Sequence, residues 1–118
     1  DTVGTVGEYA SLALDGAKPR ISYYDNTNNK LKYASCDANC TVAGNWTLVT
    51  VDPTVNRGQY TSLAIDSGKP RIVYYDVTHD DLLYASCDAN CTVAGNWTLA
   101  AIDTVGIVGQ YTATNKQQ

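Results

Sequence analysis

An all-β fold of four-stranded antiparallel sheets is predicted by three observations. The chain of 118 residues is an internal repeat: residues 1–51 align without a gap to 52–102, identical at 32 of 51 positions. Self-similarity at a fixed period marks a repeat architecture. Val, Ile, Thr, Tyr and Trp are prominent in each copy, and these side chains suit a pleated strand. No stretch shows the 3.6-residue period of an amphipathic helix.

Each copy divides into four short strands. The first covers residues 9–14 and is closed by Asp15-Gly16. The second, 20–24, is opened by Pro19, a residue tolerated at a strand start because its missing N–H is not needed there. The third, 30–35, follows the polar turn Asp25-Asn26-Thr27-Asn28-Asn29, and the fourth, 46–51, follows Gly44-Asn45. The second copy gives 60–65, 71–75, 82–86 and 97–102. Four short strands in a unit of about 50 residues fit a β-propeller blade, whereas a solenoid coil is usually shorter per turn. The chain therefore reads as one blade repeat at 1–51, a second at 52–102, and a partial third at 103–118. Residues 103–111 match 1–9 at seven of nine positions before the pattern is lost.

The pattern S-L-A-L-D-x-x-K-P-R-I-S-Y-Y-D followed by L-K-Y-A-S resembles the blades of secreted, highly repetitive bacterial β-propellers. The stretch from Ser35 through Asp37 to Trp46 is similar to the Asp-box of sialidase-type blades, S-x-D-x-G-x-T-W. Ser86, Asp88 and Trp97 repeat it. An insertion carrying two cysteines before the Gly departs from that motif. The resemblance implies a structural role for these six residues, on the hairpin between third and fourth strands, away from any active site.

Two blades do not close a ring, since propellers use about 4–8. A free pair would expose apolar faces and open sheet edges. Either the chain belongs to a longer array or its copies assemble. The partial third repeat, with Asp103, Val105, Val108 and Tyr111, is the candidate pairing segment. It can dock where another copy's residues 1–9 would sit, an exchange that closes into a ring or runs on as a filament. A frayed tail is the plainer reading.

Four cysteines form two C-x-x-x-C pairs, Cys36/Cys40 and Cys87/Cys91, in equivalent loops. Three connectivities are possible. The simplest joins each pair locally; zinc ligation and free thiols are the rivals. Disulfides imply an oxidising compartment, hence a secreted or cell-surface location. Four N-x-S/T triplets, at Asn39, Asn45, Asn90 and Asn96, are possible glycan acceptors, Asn39 being a poor one inside so small a ring. The chain lacks Met and a signal peptide, so it reads as processed or as a fragment.

The net charge of −4 argues against nucleic acid, which wants a basic stripe. No window reaches the roughly 18 apolar residues of a membrane helix. No catalytic set emerges. The arginines are Arg20, Arg57 and Arg71, the single histidine is His79 in a turn, and acids recur once per repeat as turn residues do. Arg20 and Arg71 read as ion-pair partners of nearby acids such as Asp15 or Asp25. The turns beginning at Asp25 and Asp76 carry oxygen ligands but lack the Gly and distal Glu of a calcium loop. No metal or cofactor is expected. Tyr23, Tyr24, Tyr74 and Tyr75 are candidates for stacking on sugars, with packing as the alternative. The reading is a non-enzymatic extracellular repeat that self-associates, into a filament or a closed ring; the runner-up is a carbohydrate-binding propeller, and a glycosidase stands third. Its partners would be copies of itself, and glycans under the second reading.

Overall fold

In a computed structural model the described residues are 1–106 and 108. Strands β1 (Val6–Asp15), β2 (Lys18–Asp25), β3 (Lys30–Cys36) and β4 (Trp46–Asp52) form one sheet. Strands β5 (Arg57–Asp66), β6 (Lys69–Asp76), β7 (Asp81–Cys87) and β8 (Trp97–Asp103) form the other. Each is antiparallel, in the order of the chain, because every connection within a sheet is a hairpin. The protein is all-β, with two four-stranded antiparallel sheets.

The predicted first strands begin at residues 9 and 60, but β1 and β5 start three residues earlier. Two irregularities in each β1–β2-type ladder make the difference, between Val6 and Ser11 and between Arg57 and Ser62. Tyr9 and Tyr60 take left-handed φ of 54° and 53° there. A bulge of this kind lets the strand re-aim and keep pairing beyond a break in alternation. Non-glycine residues rarely adopt such φ, so propensity alone does not reveal it.

The β2–β3 turn is tied by Asp25, whose carboxylate accepts the backbone N–H groups of Thr27 and Asn28 and the Asn28 amide. Asp76 does the same for Thr78 and His79 in the second sheet. These are Asx turns, the ordinary use of Asp at a hairpin. The β3–β4 connections hold the disulfides and short 3-10 turns at Ala43–Asn45 and Ala94–Asn96.

Successive strand residues point to opposite faces, so each sheet has two. On one face, the front, Arg20, Ser22 and Tyr24 of β2 stand beside Ser35, Tyr33 and Leu31 of β3. On the other, the back, Ile72 and Tyr74 of β6 stand beside Ala85 and Leu83 of β7. A single core joins the front of the first sheet, through Leu31, Tyr33, Val49 and Val51, to the back of the second, through Leu63, Ile65, Ile72, Tyr74, Leu83 and Trp97. β5 carries most of the contact between the sheets, chiefly against β1 and β2. No helix among the described residues is long and apolar enough to cross a membrane.

Candidate functional site

The junction between the sheets is where the two copies of one sequence stop being equivalent. Gly58 makes the close approach: a Cβ there would lie 2.7 Å from the Leu31 Cα and 2.8 Å from its nitrogen. Along β1 and β5 the contact is polar. The Ser22 and Thr61 hydroxyls meet at 2.9 Å, Thr61 also donates to the Tyr9 carbonyl (2.7 Å), and the Leu63 N–H donates to Ser11 Oγ (3.1 Å). The Tyr9 and Tyr60 rings meet at 4.5 Å with their planes tilted by 53°, flanked by Tyr24 and Tyr75. Toward β4, the Tyr33 and Trp97 rings meet edge-on at 5.1 Å, the off-parallel geometry that aromatic quadrupoles favour.

At the end of the junction lies a group of charges the sequence reading did not assemble. Buried Asp52 accepts the Tyr74 hydroxyl (2.8 Å) and faces Arg57 (3.5 Å). Arg57 also donates to buried Asp76 (3.0 Å), which His79 Nδ1 approaches at the same distance. Burial raises the Asp76 carboxyl, but hydrogen bonds from His79 and Arg57 outweigh it and hold it below the ordinary 3.8. Burial and the Asp52 charge push the Tyr74 hydroxyl far up. The signal in the sequence is a broken repeat: Arg57 stands where the first copy has Val6. Asp76, His79 and Asp81 bring three potential metal-ligand atoms together, yet the Asp76 oxygens are spent on the turn and on Arg57.

All four cysteines are in local disulfides, Cys36–Cys40 and Cys87–Cys91. The zinc and free-thiol alternatives therefore fall, and two disulfides are compatible with an extracellular location. The Asp-box-like residues gather around these loops. Trp46 and Trp97 donate their indole N–H to the Cys40 and Cys91 carbonyls at 2.8 and 2.9 Å. Asp37 and Asp88 pair with Arg20 and Arg71, each at 2.9 Å, and the same arginines donate to the Cys36 and Cys87 carbonyls. Ser35 and Ser86 lie opposite those arginines in the ladders. Arg20 also reaches Asp15 at 3.5 Å, while Asp25 is engaged in its turn. The Asn45 and Asn96 amides donate to the Asn39 and Asn90 carbonyls, which ties both ends of the loop together.

Tyr23, Tyr24, Tyr74 and Tyr75 are all buried, so a sugar would have to displace protein to stack on them. The stacking expectation gives way to packing: alternation sends one Tyr of each pair to each face, and all four are buried, although Tyr23 also lines the outer groove. Burial, with the Asp25 charge second, pushes the Tyr23 hydroxyl up to about 12. Tyr23 donates to Asp1 (2.8 Å) as Tyr74 does to Asp52.

Of the candidate pairing segment, Asp103, Val105 and Val108 are described and Tyr111 lies outside the described residues. Asp103 accepts the Val105 N–H just as Asp1 accepts Val3 and Asp52 accepts Thr54. The third repeat thus begins with the same turn as the first two. The Val108 N–H reaches the Asp80 carbonyl at 3.1 Å.

What remains open is apolar surface. Leu12 and Leu14 on the back of the first sheet, and Ile102 on the front of the second, are well exposed. A shallow groove of about 470 Å³ runs along that back, lined by Ala10, Ile21, Tyr23, Ala34, Trp46 and Leu48 among others. Compared with protein-family models, curated proteins and solved structures, the chain matches none of them.

Proposed function

We propose that the chain is a secreted structural repeat that works by packing surface on surface, its sheets being β-propeller blades with an Asp-box-like hairpin, and that it is not an enzyme. The observation that carries this reading is apolar surface left open on both outer faces of two already stacked sheets, Leu12 and Leu14 on one and Ile102 on the other. Open apolar surface on both outer faces of a stack is what a further copy would bury. The ionic groups support the same reading, because the pairs at Arg20, Arg57 and Arg71 each tie a loop or a turn to a strand. Copies associate through these faces, with the segment beginning at Asp103 available for exchange, into a ring or a filament.

Light scattering and negative-stain electron microscopy of non-reduced protein test the reading. Oligomers or fibres are expected, and a monomer at every concentration would overturn it. Removing residues 103–118 tests the exchange separately: assembly that survives unchanged takes that segment out of the mechanism.

Carbohydrate binding is the second reading, favoured by a groove of about 300 Å³ lined by residues of both sheets. Arg20, Tyr33, Asp37, Asp88 and Asn90 line it, a mixture of ring and polar groups suited to hydroxyls. A glycan array on the same material decides it: multivalent binding lost in Asp37→Ala and Asp88→Ala variants supports it, and no binding ends it.

A further inference from the structure

We infer that the partner of the free faces is a second copy of this chain, seated head to tail: the front of one copy's second sheet on the back of the next copy's first sheet. The register is that of the internal junction. This rests on the self-association proposed above and assigns it a surface and a direction.

Three comparisons between repeat-equivalent positions, 51 residues apart, lead there. The first is burial. Leu63 and Ile65 are 5% and 7% exposed in the internal junction, while their equivalents Leu12 and Leu14 are 63% and 59% exposed. Val51 is 2% exposed and its equivalent Ile102 is 58%. The residues that meet inside the chain thus recur, uncovered, on its two outer faces. Tyr33 and Trp97 meet internally, and their equivalents Tyr84 and Trp46 stand half-buried, one on each free face.

The second is backbone clearance. Gly58 lets β5 come against the Leu31 backbone, where a Cβ would collide. Its equivalent Gly7 has nothing within 4 Å of a Cβ position, so the same clearance stands empty on the outer back. The Leu82 backbone on the outer front is the equivalent of Leu31.

The third is a matched exchange of chemistry. Inside, Ser22 and Thr61 hydrogen-bond to one another. Their equivalents are Val73 and Ala10. Both members of the polar pair have become apolar together, so the two free faces meet in this register without an orphaned hydroxyl. A partner of unrelated sequence gives no reason for that pairing.

The outer junction departs from the internal one elsewhere too: Val6 stands where the internal junction has Arg57, and Ala100 where it has Val49. Lys32 stands where the internal junction has Leu83, and it enters paired with Asp1 at 2.6 Å. Asp103 of one copy and Asp1 of the next are equivalents, and one of them takes the seat on Tyr23. Because front meets back, the contact is heterologous, and it propagates until it closes or forms a filament.

Cross-linking the full chain tests the direction. Ala10→Cys and Val73→Cys are made separately, and each is oxidised alone and in an equal mixture. The side-chain oxygens at the internal equivalents lie 2.9 Å apart, so the engineered thiols fall within disulfide reach. A covalent dimer is expected in the mixture and in neither variant alone. Self-linking by either single variant would mean a two-fold contact. Association seen by light scattering with no link in the mixture would mean a different surface. Either result overturns this inference and leaves self-association standing. A wild-type chain that stays monomeric overturns both.

Discussion

Gly58 and Gly7 occupy the same place in the repeat and both have positive φ, 121° and 93°. Only Gly58 is crowded. Gly58→Ala combines left-handed strain of about 1–2 kcal/mol with overpacking of about 1–3 kcal/mol, so a loss on the order of 3 kcal/mol is expected from urea unfolding. Gly7→Ala meets open space and is expected to cost only the conformational part, about 1–2 kcal/mol. Equal losses would mean that the Leu31 contact does not limit the junction. Titration belongs to this scale too. Asp25 and Asp76 are pushed up by burial but pulled further down by their hydrogen bonds, to net values below the ordinary 3.8. A carboxyl with a depressed folded pKa stabilises the fold above its unfolded value, and that stability is lost as pH falls through the folded one. Urea midpoints are therefore expected to decline in acid below about pH 4, and Asp76→Asn to flatten the decline. Tyr23 and Tyr33, both raised to about 12 chiefly by burial, carry the opposite sign. Their contribution is present below pH 10 and is lost between pH 10 and 12.

At the scale of the element, the two disulfide hairpins have one sequence and two surroundings. Closing so short a loop contributes about 2 kcal/mol in the chain-entropy account, the same for each. What the loop supports differs. Cys91 and Trp97 pack into the sheet junction, and Trp97 donates to the Cys91 carbonyl. Trp46 is half-buried at the outer groove. Replacing Cys87 and Cys91 by Ser is therefore expected to lower the melting temperature more than replacing Cys36 and Cys40. Calorimetry of the two double variants checks this; equal shifts would mean that the loop stiffens only itself.

For the whole molecule, stacking separates stability from assembly. Val51→Asp places a charge in the core and is expected to unfold the chain. Ile102→Asp, at the equivalent exposed position, is expected to leave stability within about 0.5 kcal/mol while abolishing association in light scattering. Lys32→Leu restores the Leu83 chemistry on the outer back and is expected to move association to lower concentration. Failure of both changes to alter association would place the contact elsewhere.

The eight strands, their turns and the local disulfides were legible in the sequence because they depend on neighbours. Alternation, Asx and Gly turn residues and a four-residue cysteine spacing act over a few positions, and the repeat doubled each signal. The bulges at Tyr9 and Tyr60 were not legible, since nothing in tyrosine's own preferences asks for positive φ. Nor was the Asp52–Arg57–Asp76 group, whose members come from different strands, though Arg57 in place of Val6 was the visible clue. By itself the sequence determined an all-β chain of two near-identical units. Only the tertiary structure decided that the units stack front on back rather than face to face. That order makes Leu63 a core residue and its twin Leu12 a surface one, because burial belongs to the partner a face meets and not to the residue it carries.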